Sequence, residues 1–221
     1  MQPQADPFIV PLCEEGIKII YQDEYLLLIN KPSALLSLSG KHPLNKDSVH
    51  FRLVKNYPTA TMAHRLDFGA SGIMVVALNK TVNAHLTKQF QARSIVKNYI
   101  AILEGHVEKD EGVIELPIAK DTFPLQKVCH VNGKAAESYY QVIERTDKPL
   151  ATRVLFKPLT GRTHQLRIHS REIGHPILGC DLYANDEAFQ LSSRLMLHAG
   201  RLEFDHPING NRIKGVCPCP F

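Results

Sequence analysis

The chain has 221 residues, 44% of them hydrophobic and 22% charged, and its 26 Lys and Arg against 22 Asp and Glu leave a formal net charge of +4. That suits one globular catalytic domain with a sizeable core, or one domain with a closely packed subdomain. No apolar run is long enough to span a bilayer, the stretch Met1–Pro7 lacks the basic-then-apolar form of a signal peptide, and five scattered cysteines, an odd number, do not make a disulfide framework. The expectation is a cytoplasmic protein with a flexible leader over residues 1–16 and a single catalytic domain over residues 17–221. A pI near 8.8 is compatible with a phosphate-rich partner without requiring one.

In chain order, Ile17–Tyr21 and Tyr25–Ile29 read as strands joined by the turn Gln22-Asp23-Glu24, and Pro32 ends the second. Asp47 is a candidate cap for a helix from Ser48 to about Tyr57, which Pro58 stops. The apolar run Ile73–Leu78 has the length and β-branched content of a buried strand. Asn79 caps a helix to about Ala92, with Val82, Leu86 and Phe90 at four-residue steps. Ile95–Leu103 and Val113–Ile118 read as strands. Lys127–Val131 and Ala135–Ile143 flank Asn132-Gly133, which suits a type I′ hairpin turn. Thr152–Phe156 alternates as a strand. Thr163 is positioned to cap a helix to about Ile173, ended by Gly174. Leu195–Phe204 and Arg212–Val216 read as late strands around a turn at His206–Gly210. Many strands, few helices and no alternation between them predict an α+β fold around a mostly antiparallel sheet.

The chemistry concentrates on His64-Arg65-Leu66-Asp67-Phe68-Gly69-Ala70-Ser71-Gly72, a loop of small residues just before the apolar run. A carboxylate on such a loop can serve as nucleophile or base without metal or cofactor. The same residues also fit a surface ion pair between Arg65 and Asp67. Burial raises a carboxyl pKa and a nearby guanidinium lowers it. Arg167 is the candidate partner, on a helix where His164, Arg167 and Arg171 share one face; a solvated basic face is the alternative. Eleven histidines invite a metal, but neither His-Glu-x-x-His nor paired Cys-x-x-Cys is present, and Cys217-Pro218-Cys219 stands alone.

His-Arg-Leu-Asp followed by Ser-Gly resembles the signature loop of pseudouridine synthases, in particular the family of ribosomal large subunit pseudouridine synthase A. Asn30-Lys31-Pro32-Ser33 resembles its early Lys-Pro motif, Lys97-Asn98-Tyr99 its tyrosine-bearing strand, and the stretch from Gly161 to His169 its arginine motif. The four lie in family order, and the likeness runs from about Tyr21 to the C-terminus. It implies the pseudouridine synthase fold, a long mixed sheet flanked by helices and loops with a catalytic cleft across it, without a separate S4-type RNA-binding domain. It implies an isomerase that uses no cofactor. The bond from uracil N1 to ribose C1′ breaks, the base turns, and C5 bonds to C1′. Asp67 takes the essential position, either attacking C1′ or drawing a proton from the sugar. Tyr99 packs on the uracil, or is simply a core aromatic of its strand.

A uridine in structured RNA must be swung out before a side chain reaches its sugar, and Arg65 matches the arginine that enters the RNA stack, a phosphate contact being the alternative. Lys31, His64, Arg162 and His164 are further candidate RNA contacts; Lys31 suits support of the cleft nearly as well, and His64 suits organising the loop. The expected partner is 23S rRNA, a tRNA anticodon stem-loop, or both, bound by a monomer with no membrane involved. Two departures stand out. Ala70 replaces a common Thr, and Cys180 intervenes between Gly179 and Asp181 where many relatives have Asp directly after Gly. A catalytically idle RNA-binding or chaperone module, and a hydrolase using Asp67 with a histidine, are the competing readings.

Overall fold

The computed structural model describes residues 8–221. Its elements, in chain order, are β1 (Lys18–Gln22), β2 (Leu26–Lys31), α1 (Val49–Leu53), β3 (Thr61–Met62), β4 (Ser71–Ala77), α2 (Lys80–Gln91), β5 (Val96–Glu104) and β6 (Glu111–Glu115). There follow β7 (Ile118–Lys120), β8 (Gln126–Val128), β9 (Glu137–Asp147), β10 (Leu150–Pro158), α3 (Gln165–Glu172), α4 (Asp186–Gln190), β11 (Leu197–Asp205) and β12 (Arg212–Val216). Strands dominate and do not alternate with helices, so the class is α+β. The chain divides into two units, one running through Ile95 and resuming over Arg201–Pro218, the other formed by Val96–Gly200 with Cys219–Phe221.

In the first unit β1, β2 and β4 form antiparallel neighbours, β3 adds to β4, and β12 pairs with β11. β4 is buried along its whole length, as an unbroken apolar run demands. Asp23 shapes the turn into β2 by accepting the Tyr25 and Leu26 N–H groups at 2.8 Å each. α2 begins as expected, with Asn79 accepting the Val82 N–H at 2.9 Å and Val82 and Leu86 wholly buried. α1 differs. Its cap is Ser48, which accepts the Phe51 N–H, because Asp47 is engaged by the Arg52 guanidinium; the helix closes at Leu53 rather than Tyr57. Gly215 of β12 lies against the core so closely that a Cβ there would stand 2.5 Å from Ile73 Cδ1 and 2.8 Å from Leu28 Cδ1.

The leader expectation needs correction from Phe8 onward, because Phe8–Glu15 is tied to Asn45, Arg52 and Ser33; its first seven residues lie outside the described residues.

In the second unit β5, β10, β9 and β6 form an antiparallel sheet in that order, and β7 with β8 makes a separate hairpin. The Asn132-Gly133 hairpin is overturned. β8 pairs with β7, β9 pairs with β10 and β6, and Gly133 is not among the glycines with positive φ that a type I′ turn requires. Its N–H instead closes a turn onto the Cys129 carbonyl at 2.9 Å. Thr163 does not cap α3 either. The cap position is His164, at φ 57°, with no side-chain cap bond. Gln165 braces the turn that leads into the helix, its Oε1 accepting the Arg162 N–H at 2.9 Å and the Thr160 hydroxyl at 2.7 Å. The far end is as expected: Gly174 has φ 86°, and the His175 N–H reaches the Ser170 carbonyl at 3.0 Å in a Schellman close. α4, capped by Asn185, was not legible in a loop without periodicity.

Candidate active site

The Asp67 loop is short and rich in small residues, so little in its own composition would fix its shape. The end of β2 and the segment that follows it supply that shape. Ser37 Oγ donates to the Leu66 carbonyl at 2.8 Å and accepts the Leu66 N–H at 3.1 Å. Lys31 Nζ donates to the Pro32 carbonyl at 2.8 Å and the Phe68 carbonyl at 3.2 Å. Ser33 Oγ donates to the Gly69 carbonyl at 2.6 Å. Three side chains therefore hold the backbone before and after Asp67, while its own carbonyl accepts the Ala70 N–H at 3.2 Å. Asp67 is half-buried and Arg65 is exposed. Ala34 sits at φ 54°, a conformation that costs a residue with a Cβ about 1–2 kcal/mol, in the turn between Ser33 and Ser37.

One expectation for this loop is revised. Lys31 is 0% exposed, so the phosphate contact gives way to the supporting role. A buried ammonium is tolerable only with such partners. His64 Nε2 accepts the Val75 N–H at 3.0 Å and its ring stacks on Phe90 at 4.6 Å, which gives it the loop-organising role, against β4 and α2.

Tyr99, on β5 opposite Phe156 of β10, is half-buried. The basic face of α3 gathers as its spacing implied, but around a residue that sequence reasoning missed. Tyr183 is buried, its ring lies 5.1 Å from the Arg167 guanidinium and 5.5 Å from that of Arg171, and its hydroxyl bonds His164 Nδ1 at 2.8 Å and accepts the Gln126 N–H at 2.9 Å. Arg167, buried, donates Nη2 to Asp181 Oδ1 and Nε to Cys180 Sγ at 3.3 Å. Cys180 and Asp181 are thus both on the Arg167 fork. Gly179 makes that possible: it has φ 69°, and a Cβ there would stand 1.9 Å from the Arg194 carbonyl. Arg162 is engaged differently, Nε donating to the Ala135 carbonyl at 3.0 Å. Behind α3, buried His169 bonds Ser138 Oγ at 3.0 Å and the Leu116 carbonyl at 3.2 Å, and burial pushes its pKa below the usual 6.5. The only sequence hint of Tyr183 was indirect: two arginines four residues apart on one helix face can share an aromatic ring.

Lys31, His64, Arg65 and Asp67 thus belong to the first unit; Tyr99, Arg162, His164 and Arg167 belong to the second. Among the described residues no three His, Cys, Asp or Glu gather as a metal site.

Residues 25–172 match the RNA pseudouridylate synthase family. The chain belongs to that family. It is 47% identical over 205 residues to the dual-specificity RNA pseudouridine synthase RluA of Yersinia pestis, covering 92% of this chain and 99% of that one. With the RluA of Escherichia coli K12 it shares 44% identity over 213 residues, 96% of this chain and 97% of the relative. Among solved structures, human RNA pseudouridylate synthase domain containing 1 superposes with a TM-score of 0.81 at 29% identity, covering 96% of this chain and 86% of the human one. Human domain containing 4 gives 0.72 at 25% identity, covering 92% and 88%. The pseudouridine synthase is an isomerase acting on uridine in RNA. Its signature loop is the one that Lys31, Ser33 and Ser37 hold.

Proposed function

We propose that this pseudouridine synthase modifies uridines in two kinds of structured RNA, a ribosomal RNA of the large subunit and a tRNA anticodon stem-loop, as a cytoplasmic monomer whose two units make one catalytic domain. Support for two substrates comes from relatives at 43–47% identity named as dual-specificity enzymes. Asp67 is assigned the essential role. Both available routes, attack on C1′ and removal of a sugar proton, need its carboxylate ionised and held still. The observation that carries the assignment is the triple tether on its loop, from Lys31, Ser33 and Ser37. A loop with no chemical duty gains little from fixing the carbonyls of Leu66, Phe68 and Gly69 at the expense of a buried ammonium.

Tyr99 is assigned to the uracil face and Arg167 to the electrostatics of the reaction. Arg65, exposed in the same loop as Asp67, is assigned to the space left when the uridine leaves the stack. Arg162 and His164 are retained as secondary RNA contacts.

The reaction removes hydrogen from uracil C5. RNA carrying tritium at C5 of uridine releases label to water in the presence of the enzyme, and Asp67→Asn abolishes release while RNA binding persists. Full release by Asp67→Asn would overturn the assignment. Free uracil among the products would indicate hydrolysis instead of isomerisation.

A further inference from the structure

Phe8–Glu15 forms no helix or strand, yet the first unit grips it along its length. Asn45, fully buried, reads this strap in both directions: Oδ1 accepts the Val10 N–H at 2.9 Å and Nδ2 donates to the Phe8 carbonyl at 2.6 Å. One side chain thereby supplies the paired bonding that a neighbouring strand would give. Arg52 holds the other end, with Nη1 donating to the Glu15 carbonyl at 2.5 Å and Nη2 to the Cys13 carbonyl, while its fork is fixed on Asp47. Nearly all of these ties go to the strap backbone, so they specify its path rather than its side chains.

That path meets the Asp67 loop twice. Cys13 Sγ lies 3.5 Å from the carbonyl of Ser33, the residue whose hydroxyl holds Gly69. The Phe8 ring meets Phe68 edge to face, with centroids 6.1 Å apart and planes at 77°. Phe68 directly follows Asp67, and its carbonyl is already held by Lys31. The Ala70 N–H and Lys31 hold the carbonyls on either side of the Phe68 Cα, and the Phe68 ring adds a side-chain restraint on the residue that follows Asp67. Phe8 is still 53% exposed. The contact therefore does little to hide Phe8 from water, and its consequence falls on Phe68.

We propose that the strap Phe8–Glu15 positions the Asp67 carboxylate, with Phe8 as the residue in contact and Asn45 and Arg52 as its anchors. The inference rests on the assignment of Asp67 as the essential residue. Phe8 and Asn45 are positioning residues that act through Phe68 and touch no substrate. Displacement of a reacting group by about 1 Å can cost a hundredfold in rate. Loss of one of several restraints on Phe68 has a smaller effect, about tenfold.

The test compares full-length wild type, Phe8→Ala, Phe8→Tyr, Asn45→Ala and Asp67→Asn by tritium release under saturating and subsaturating RNA, with a thermal melt for each. Phe8→Ala is expected to lower kcat about tenfold with KM for RNA within about twofold, because position and not binding is lost. Its melting temperature stays close to wild type, since a half-exposed ring has little burial to lose. Phe8→Tyr restores kcat, and Asn45→Ala, at a temperature where it is folded, reproduces the kcat loss. An unchanged kcat in Phe8→Ala, a loss confined to KM, or a failure of Phe8→Tyr to restore kcat overturns the inference; with Asp67→Asn inactive, the Asp67 assignment survives that result. Wild-type release by Asp67→Asn overturns the assignment and the inference together.

Discussion

Replacing Lys31 by Met keeps most of the side chain's volume and removes its charge. In the structure the ammonium is sealed from solvent and donates to the Pro32 carbonyl at 2.8 Å and the Phe68 carbonyl at 3.2 Å. A hydrogen bond from a charged donor contributes about 1.5–3 kcal/mol, and the longer of these two falls at the low end. Relief of the ammonium's desolvation offsets part of the loss, which leaves a net destabilisation of about 2–3 kcal/mol. In a chain of this size each kcal/mol shifts the melting temperature by about 2–4 °C, so Lys31→Met melts about 5–10 °C lower. Tritium release assayed well below that temperature falls too, because the carbonyl next to Asp67 has lost its tether. The slope of log affinity for RNA against log salt does not change, since no phosphate contact has gone. A phosphate-binding Lys31 gives the opposite pattern: an unmoved melt and a slope shallower by about 0.7 for a single-stranded contact. That pattern would refute the buried-tether reasoning.

Tyr183→Phe keeps the ring under Arg167 and Arg171 but loses the hydroxyl that serves Gln126 and His164, at a cost of about 1–2 kcal/mol in a urea melt. Tyr183→Leu also loses the cation–π contacts and lowers kcat further; equal kcat values for the two variants would remove the ring from the argument. His169 is held neutral by burial, so the unfolded chain takes up its proton near pH 6.5 and the folded one only below that. Its contribution is therefore complete above pH 6.5 and is lost as pH falls from there towards the folded value. Urea melts between pH 8 and 5 should show a shallower decline for His169→Gln than for wild type, and parallel curves would count against it. Gly215→Ala forces a methyl against Ile73 and Leu28 and costs about 1–3 kcal/mol, whereas Gly174→Ala, in open space at φ 86°, costs only about 1 kcal/mol of backbone strain.

What the sequence disclosed about the fold follows the range over which each signal acts. β4 and α2 were legible because an unbroken apolar run and a four-residue stripe behind an Asn are local statements, and burial rewarded both. Asp47 and Ser48 are equally good caps on paper, and the choice between them was made by Arg52, whose fork takes the Asp carboxylate out of contention. Asn132-Gly133 carried a strong turn signal that lost to pairing at longer range: β9 has β10 on one side and β6 on the other, leaving β8 no place beside it. Turn propensity weighs tenths to about 1 kcal/mol, and several ladder bonds with their cross-strand contacts outweigh it.

The site was legible as a pattern of residue types and not as a set of directions. Lys31 and Arg65 carry the same charge in the sequence, yet one is a buried tether and the other is exposed, because burial depends on packing at long range. The spacing of His164, Arg167 and Arg171 stated that they share a face but not what the face meets, and Tyr183 sits in a loop with no period to betray it. The pair Cys180 and Asp181 shows why an arginine suits that place. A guanidinium presents donors in several directions within one plane, so Nε can meet Cys180 while Nη2 meets Asp181 one residue further on. An ammonium has one donor centre and no such spread. Two neighbouring loop residues can therefore hold one cation together, because the cation is arginine and Gly179 lets the loop pass beneath the Arg194 carbonyl.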